Sequence, residues 1–488
     1  MGESMQPGSQ PGTHAPRAAL TAAVLLAGLF LAPMPSCGRA GADGGGAARK
    51  VERVVLVVCD TLRADRLGSY GNARGLTPHI DAFARDAVVF ERAYSASSLT
   101  MPSMASFLSG RTVREIGIGR DNRWNLPEEV DTLAELVAAG GTRTAAVVSN
   151  TVLRAPDPEE AGTRGIAQGF DLYEDRLPSK EKNRHHRERT AGDTTAAALQ
   201  AIDGIVAEGM GDDFFLWVHY IDPHGPYTPP EPYRTRFDGG YPGGPELVVG
   251  QYNGGRREIP NYQSIDGATD AGLYRSRYDG EVAYFDASFG ALMAGLEERD
   301  LLDGTLVIFT ADHAEALGEG GWWFVHGRTL DASMTHVPLI VRFPGADERG
   351  RSDAAIGHLD VHSTILDAFG LRRRGDPRHT LFAGVRPEGR ATIQQLGRAD
   401  EERRSQAVQS GSWRLIVEDG TLPRLFDVAA DPLEEVDLAA REPEIVAELL
   451  ATYAEERERL ETDPIGPVPD ATASPERERE LRGLGYGR

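Results

Sequence analysis

Residues Val54–Val58 read VVLVV and run straight into Cys59-Asp60-Thr61. An unbroken apolar run of this length describes a strand covered on both faces. Four more runs repeat it: Ala145–Val148 (AAVV), Phe214–Val218 (FFLWV), Leu306–Thr310 (LVIFT) and Pro338–Phe343 (PLIVRF). Helical patterns lie between them, and Val282, Phe285, Phe289, Leu292 and Leu296 form one apolar stripe at 3-4-3-4 spacing. The alternation predicts an α/β fold: a large, mostly parallel, mixed sheet sandwiched by helices. In such sheets ligands bind outside the carboxyl ends of the strands. The first run exits into Asp60, the second into Ser149-Asn150, the third into His219, Asp222 and His224, and the fourth into Asp312-His313. One aspartate at a strand end is most simply a turn or a helix cap. Three exits carrying Asp or His point to a shared divalent-metal site.

The composition narrows the partners. The 488 residues hold 52 Lys+Arg against 74 Asp+Glu, a formal charge of −22. That argues against a nucleic-acid or broad anionic-membrane surface. Only Lys50, Lys180 and Lys182 are lysines, so an anion must be met by Arg, backbone N–H or metal. The two cysteines, Cys37 and Cys59, rule out a disulfide framework or a four-cysteine zinc ribbon.

Arg17 precedes Ala18–Ala32, fifteen uncharged residues, and then PMPSC ending at Cys37. The run is too short to span a bilayer and suits a signal peptide. Cys37 stands where a bacterial lipoprotein would be cut and lipidated, although Met34 and Pro35 depart from the usual residues there. The expected organisation is a signal peptide over 1–37, a flexible linker over 38–50 and a catalytic domain over 51–375. A small C-terminal α+β subdomain over 376–462, with a strand at Trp413–Glu418 and a helix at Glu442–Leu460, precedes a charged tail over 463–488. The chain is expected to be exported, as a periplasmic or cell-envelope lipoprotein whose sole membrane link is a lipid on Cys37. Tyr233–Tyr278, rich in Gly, Pro, Tyr and Arg without periodicity, reads as a long surface insertion and a candidate cover for a site.

The stretch Ser97–Gly110 (SSLTMPSMASFLSG) describes a short helix: Thr100 as N-cap, Pro102 in the first turn, Phe107 and Leu108 on an apolar face, Gly110 as the stop. The same geometry places a hydroxyl at the positive end of a helix, where an anion is received.

Together, Val54–Gly71, Thr77–Asp81, Thr100–Gly110, Phe215–Pro226 (FLWVHYIDPHGP), Thr310–Gly318 (TADHAEALG), His326–Leu330 (HGRTL), Val337–Pro344 and Leu425–Leu438 resemble the ordered signature of the sulfatase family, within the alkaline phosphatase superfamily. The resemblance implies an alkaline-phosphatase-like fold and a metal-dependent hydrolase of sulfate or phosphate esters. Asp60, Asp312 and His313 would be metal ligands, and Thr100 would be the nucleophile on the metal. His224 would face the substrate or its leaving group. His326 would lie across the anion as a substrate contact or a second-metal ligand, against the plainer reading of a solvated loop histidine. His219 reads as a hydrogen-bonded core residue. Asn150, near the position of a family lysine, is a candidate substrate contact.

The departures shape the chemistry. Sulfatases oxidise a Cys or Ser to formylglycine, and oxidising Thr100 would give a ketone in place of that aldehyde. The family's arginine four residues on is Met104, its lysine is Ser149 or Asn150, and the second of its paired aspartates is Thr61. A threonine hydroxyl on calcium, zinc or manganese suits phosphoryl transfer, and histidine among the ligands favours zinc or manganese. Two alternatives stand beside this reading: a true sulfatase with an unmodified nucleophile, and a non-catalytic envelope lipoprotein that kept the fold.

Overall fold

Strand β1 (Arg53–Cys59) is buried along its whole length, as its apolar run requires. The computed structural model describes residues 51–461 apart from 120–125, 157–164, 181–186, 208–212, 252–254, 347, 374–375, 377, 384–390, 398–400 and 402. The expected leader with Cys37, the linker and the charged tail lie outside the described residues. The further strands of the main sheet are β2 (Val88–Tyr94), β3 (Arg143–Val148), β4 (Leu172–Glu174), β5 (Phe214–Tyr220), β6 (Thr305–Ala311), β7 (Leu339–Arg342) and β8 (Gly350–Gly357). They lie in the order β8-β2-β7-β6-β1-β5-β3-β4. From β6 to β4 the pairs are parallel, while β7 runs antiparallel to both β6 and β2.

The longer helices are α1 (Pro78–Ala84), α2 (Thr100–Ser109), α3 (Leu133–Ala139), α4 (Ala191–Ala207), α5 (Ala271–Glu297) and α6 (His358–Ala368). They form two groups, with α5 touching α1 and α4, and α2, α3 and α6 in mutual contact. The helical stripe from Val282 to Leu296 is fully buried. It extends further than its aliphatic residues suggest, because Tyr274 and Tyr278 continue it at four-residue steps and are equally buried. Both phenols find carbonyl acceptors, Ala268 at 3.0 Å and Thr61 at 2.8 Å, the condition for burying a tyrosine. The aperiodic insertion therefore ends at Asp270, whose side chain accepts from the Gly272 N–H at 2.9 Å and caps α5.

The C-terminal part forms a separate antiparallel sheet of β9 (Thr392–Leu396), β10 (Ser405–Ser410), β11 (Trp413–Glu418) and β12 (Arg424–Asp427), with helix α7 (Pro443–Leu460) packed on it. Alternation along β11 divides its side chains between two cores. Leu415 packs with Val408, Leu425, Leu449 and Tyr453, whereas Ile416 joins the main core. Arg414 is fully buried, ion-paired with Glu434, and donates to the Leu330 carbonyl at 2.6 Å and Thr335 Oγ1 at 3.0 Å.

Candidate active site

Parallel register brings the strand exits into one row. Val148 and Val58 both lie opposite His219, and Cys59 lies opposite both Tyr220 and Ala311. The ladder runs on past the strand ends, with Asp60 N–H donating to Tyr220 O at 2.9 Å, Asp312 N–H to Cys59 O at 3.2 Å and Ser149 N–H to His219 O at 3.1 Å.

Asp60, Asp312 and His313 are fully buried, with potential ligand atoms all within 4.8 Å of one another. His313 Nε2 lies 3.7 Å from Asp60 Oδ1 and 3.5 Å from Asp312 Oδ2. The other carboxylate oxygens are engaged. Asp60 Oδ2 accepts from Asn150 Nδ2 at 2.5 Å, and Asp312 Oδ1 accepts from the N–H groups of Thr61 and His313 at 3.2 and 2.7 Å. Asp60 Oδ1, Asp312 Oδ2 and Thr61 Oγ1 have no hydrogen-bond partner. His313 Nδ1 faces the Ala314 carbonyl at 3.1 Å and so carries the proton, which leaves a lone pair on Nε2. Buried carboxylate oxygens left without donors are costly, and two such oxygens with an imidazole nitrogen fit a divalent cation.

Burial and the charge of Asp312 push the Asp60 carboxyl well above the usual range. On Asp312 burial is outweighed by His313 and His219, and its pKa falls below that range. A cation would favour charge on both.

Thr100 Oγ1 lies 3.1 Å from His313 Nε2. The N-cap of α2 is Leu99, with extended backbone and no side-chain cap, so Thr100 occupies the first helical position. The expected capping hydroxyl is instead turned toward His313. Thr61, at the position of the family's second aspartate, has φ +57°, a conformation unusual for a β-branched residue. Tyr278 holds its carbonyl.

His224 Nδ1 faces the Gly225 carbonyl at 2.7 Å and must donate to it, which leaves Nε2 bare and without a partner. Its ring lies 5.1 Å from that of His326, itself 4.6 Å from His313. His326 is no solvated loop residue: it is 6% exposed, with Nδ1 3.0 Å from Glu315 Oε1. Glu315 stands inside a quoted motif but drew no role from sequence. It is fully buried, and Oε2 accepts from Tyr227 Oη at 2.9 Å. Arg63 Nη1 donates to the Glu315 carbonyl at 2.9 Å and pairs with Asp65 and Glu319.

The insertion does reach the site. Gln263 donates to Tyr227 Oη at 3.3 Å and to the Phe324 carbonyl at 3.2 Å, and Tyr262 stacks on His224 at 5.9 Å. A Cβ on Gly225 would stand 1.6 Å from Gln263 Oε1, so only glycine permits this closure.

Asn150 and His219 also face the carboxylates. Asn150 holds Asp60 through Nδ2 and caps a 3-10 turn by accepting from Val152 N–H at 2.8 Å. Both ends of its amide are engaged in these bonds, so within the chain Asn150 positions Asp60. His219 is a core residue, but neither ring nitrogen has a hydrogen-bond partner, and Nε2 lies 3.7 Å from Asp312 Oδ2. The hydrogen bond expected of it is absent, and the register turns it toward the carboxylates.

Burial lowers the pKa of His224 to about 3 and of His326 to about 4. It does the same to His358 and His362, at about 4 and about 3. An unfolded chain takes up these protons near pH 6.5, well before the folded one. The associated stability is therefore complete above about pH 6.5 and is lost as pH falls toward the folded values. The midpoint of thermal unfolding, followed by circular dichroism, is expected to drop progressively from pH 7 to pH 4.5. A midpoint constant over that range would show that these histidines are not buried as neutral rings.

Residues 52–371 match the sulfatase family. Human iduronate 2-sulfatase is 26% identical over 346 residues, covering 60% of this chain and 60% of that protein. The choline-sulfatase of Rhizobium meliloti is 25% identical over 429 residues, covering 79% and 82%. The crystal structure of the phosphonate monoester hydrolase of Agrobacterium radiobacter is similar in fold, with a TM-score of 0.64, 23% identity, and coverage of 86% of this chain and 97% of that one. The chain belongs to the sulfatase family.

Proposed function

We propose that the protein is a metal-dependent hydrolase of sulfate or phosphate esters in which unmodified Thr100 is the nucleophile. The observation that carries this reading is the Thr100 hydroxyl at the start of α2, 3.1 Å from His313 Nε2, the atom that also faces the unpartnered oxygens of Asp60 and Asp312. Asp60, Asp312, His313 and Thr100 would hold a divalent ion, with His313 favouring zinc or manganese over calcium. Such an ion lowers the pKa of a hydroxyl and stabilises charge on the transferred group.

The chain's own groups supply the rest. Thr100 gives up its hydroxyl proton to water, its Oγ attacks phosphorus or sulfur, a Thr–O ester forms, and the bond to the leaving alcohol breaks. The N-terminus of α2 receives the charge of the equatorial oxygens. His224 Nε2, kept bare by the Gly225 carbonyl, takes a proton more readily once an anionic ester lies beside it. It can then return that proton to the departing oxygen. Glu315 fixes the His326 ring against the anion. Water then cleaves the threonine ester.

A threonine ester of phosphate needs no aldehyde chemistry to turn over, which favours phosphoryl transfer. The names of the relatives favour the second reading, a sulfatase with an unmodified nucleophile. The non-catalytic reading is disfavoured by cost, since a chain relieved of chemistry gains nothing from bare buried carboxylate oxygens. The leader and Cys37 support export to the cell envelope, and among the described residues no helix is long and apolar enough to cross a membrane.

Elemental analysis of the purified protein, followed by turnover of an aryl sulfate, an aryl phosphate monoester and a phosphodiester, tests the reading. Bound metal, faster phosphate-ester turnover and a phosphorylated Thr100 peptide in mass spectrometry are expected. Preferential aryl sulfate turnover with no phosphothreonine would support the second reading instead, and no turnover of any of the three would support the non-catalytic one.

A further inference from the structure

Helix α2 has two ends, and only the first bears Thr100. Its 10 residues, at about 1.5 Å each, put the other end about 15 Å away, where Gly110 closes the helix. A cavity of about 220 Å³ lies there, lined by the end of α2, by side chains of α3 and α6, and by the last residue of α7.

Two buried acceptors on its wall lack donors. His362 of α6 is fully buried; its Nδ1 lies 2.9 Å from the Phe107 carbonyl and so carries the proton, which leaves Nε2 as a lone pair without a partner. Glu115 is 3% exposed; Arg111 engages its Oε1 at 2.8 Å, and Oε2 has no partner. Such atoms are costly to bury unless a donor reaches them. Gly110, at φ +67°, keeps the space beside the imidazole open: a Cβ there would stand 2.6 Å from His362 Nε2 and closer still to Arg378 Nη1.

The surrounding charges select the donor. Arg378 donates to the Gly110 carbonyl at 2.9 Å and pairs with Asp376, so an ammonium ion at His362 Nε2 would be repelled by its guanidinium. Burial, and then that guanidinium, keep the His362 ring neutral. An anion would instead meet the carbonyl end of α2 and the Glu115 carboxylate. A hydroxyl suits both neighbours, because it donates to an imidazole nitrogen while accepting from a guanidinium. Leu136, Leu366, Leu371 and Leu460 add an apolar wall along which water alone would find no partners. A ring with hydroxyls at its edge and C–H bonds on its face satisfies both surfaces. The volume lies below the roughly 300–1,000 Å³ of sites for drug-sized ligands, so the occupant is small.

We infer that this cavity binds a small neutral polyol, of the size of a monosaccharide or a cyclitol, with hydroxyls on His362 Nε2 and Glu115 Oε2 and its apolar face on the leucines. The site is separate from the one at Thr100, and its occupancy does not depend on the hydrolase reading.

Calorimetric titration of the purified protein with D-glucose, D-galactose, N-acetyl-D-glucosamine and myo-inositol tests this, with ethylammonium and inorganic phosphate alongside. At least one of the polyols is expected to bind with a Kd of about 1 mM or below. His362→Asn can keep the donor to the Phe107 carbonyl while losing the Nε2 acceptor, and should weaken that binding at least about tenfold. Leu371→Trp fills the cavity from a half-buried position and should abolish binding; it decides the matter even where circular dichroism shows that His362→Asn does not fold. Absence of binding by all the polyols, binding that persists unchanged in Leu371→Trp and so lies elsewhere, or tighter binding of ethylammonium or phosphate that Leu371→Trp removes, each overturns the inference.

Discussion

Replacing Thr100 with alanine is expected to lower kcat for an aryl ester at least about a thousandfold, because the proposed nucleophile is gone while the surrounding charges remain. The size of the effect follows from the absence of a substitute. Sulfatases present an aldehyde hydrate at this position, which the Cβ of threonine cannot supply. The neighbouring hydroxyl of Ser103 is already committed, donating to the Asp312 carbonyl at 2.6 Å. The fold should survive, since Thr100 Oγ1 makes no capping bond and α2 is held by burial of every one of its residues. Thr100→Ser keeps the hydroxyl and should retain activity within about tenfold. Steady-state kinetics with circular dichroism of each variant checks both points, and full activity in Thr100→Ala would end the case for this nucleophile.

The second large effect is expected at Asp312. Asp312→Asn keeps an oxygen for the N–H groups of Thr61 and His313, so the turn after β6 should persist. It replaces the oxygen that faces His313 Nε2 at 3.5 Å with an uncharged amide. Metal content by elemental analysis should fall to background, and turnover should fall at least about a thousandfold together with it. The wild-type protein stripped with a chelator should match the variant in activity and recover when zinc or manganese is returned, whereas Asp312→Asn should not recover. Wild-type metal content and turnover in Asp312→Asn would remove Asp312 from the centre.

The central part of the fold is legible because four adjacent parallel strands are buried on both faces, and their sequences can be little else than apolar. Their exits are legible for the same reason: Asp60 and Asp312 interrupt runs that otherwise exclude charge. Strand β8 escapes such a reading because it lies at the sheet edge, and Arg351, Ser352 and Asp353 give it no apolar signal. The C-terminal strands Thr392–Leu396 and Ser405–Ser410 are hidden by their glutamines. Gln395, for instance, is buried with its amide donating to Tyr453 Oη at 3.0 Å, a partner that only folding provides.

The same distinction runs through the site. Asp60, Thr100, Asp312 and His313 fall at strand ends and a helix start, so chain position alone brings them near one another. Glu315 and His219 gain their places from long-range partners. Glu315 needs Tyr227, 88 residues earlier, and His219 acquires its neighbour Asp312 through two parallel pairings. The hold of Asn150 on Asp60 is hidden for the opposite reason. Its position beside a strand end is right, but the orientation of a side-chain amide depends on which donors and acceptors surround it.

Arg414 bears on how the chain can be divided. Composition suggests a cut near residue 375, between a catalytic domain and an appendage. The guanidinium from β11 nevertheless supplies donors to the Leu330 carbonyl and the Thr335 hydroxyl, in the segment that follows His326 and Arg328. A chain ending at the compositional border would lose those two donors and would bare the apolar surface that Ile416 and Phe426 cover. The C-terminal sheet is therefore a brace for the segment after His326, and removing it would oblige that segment to refit.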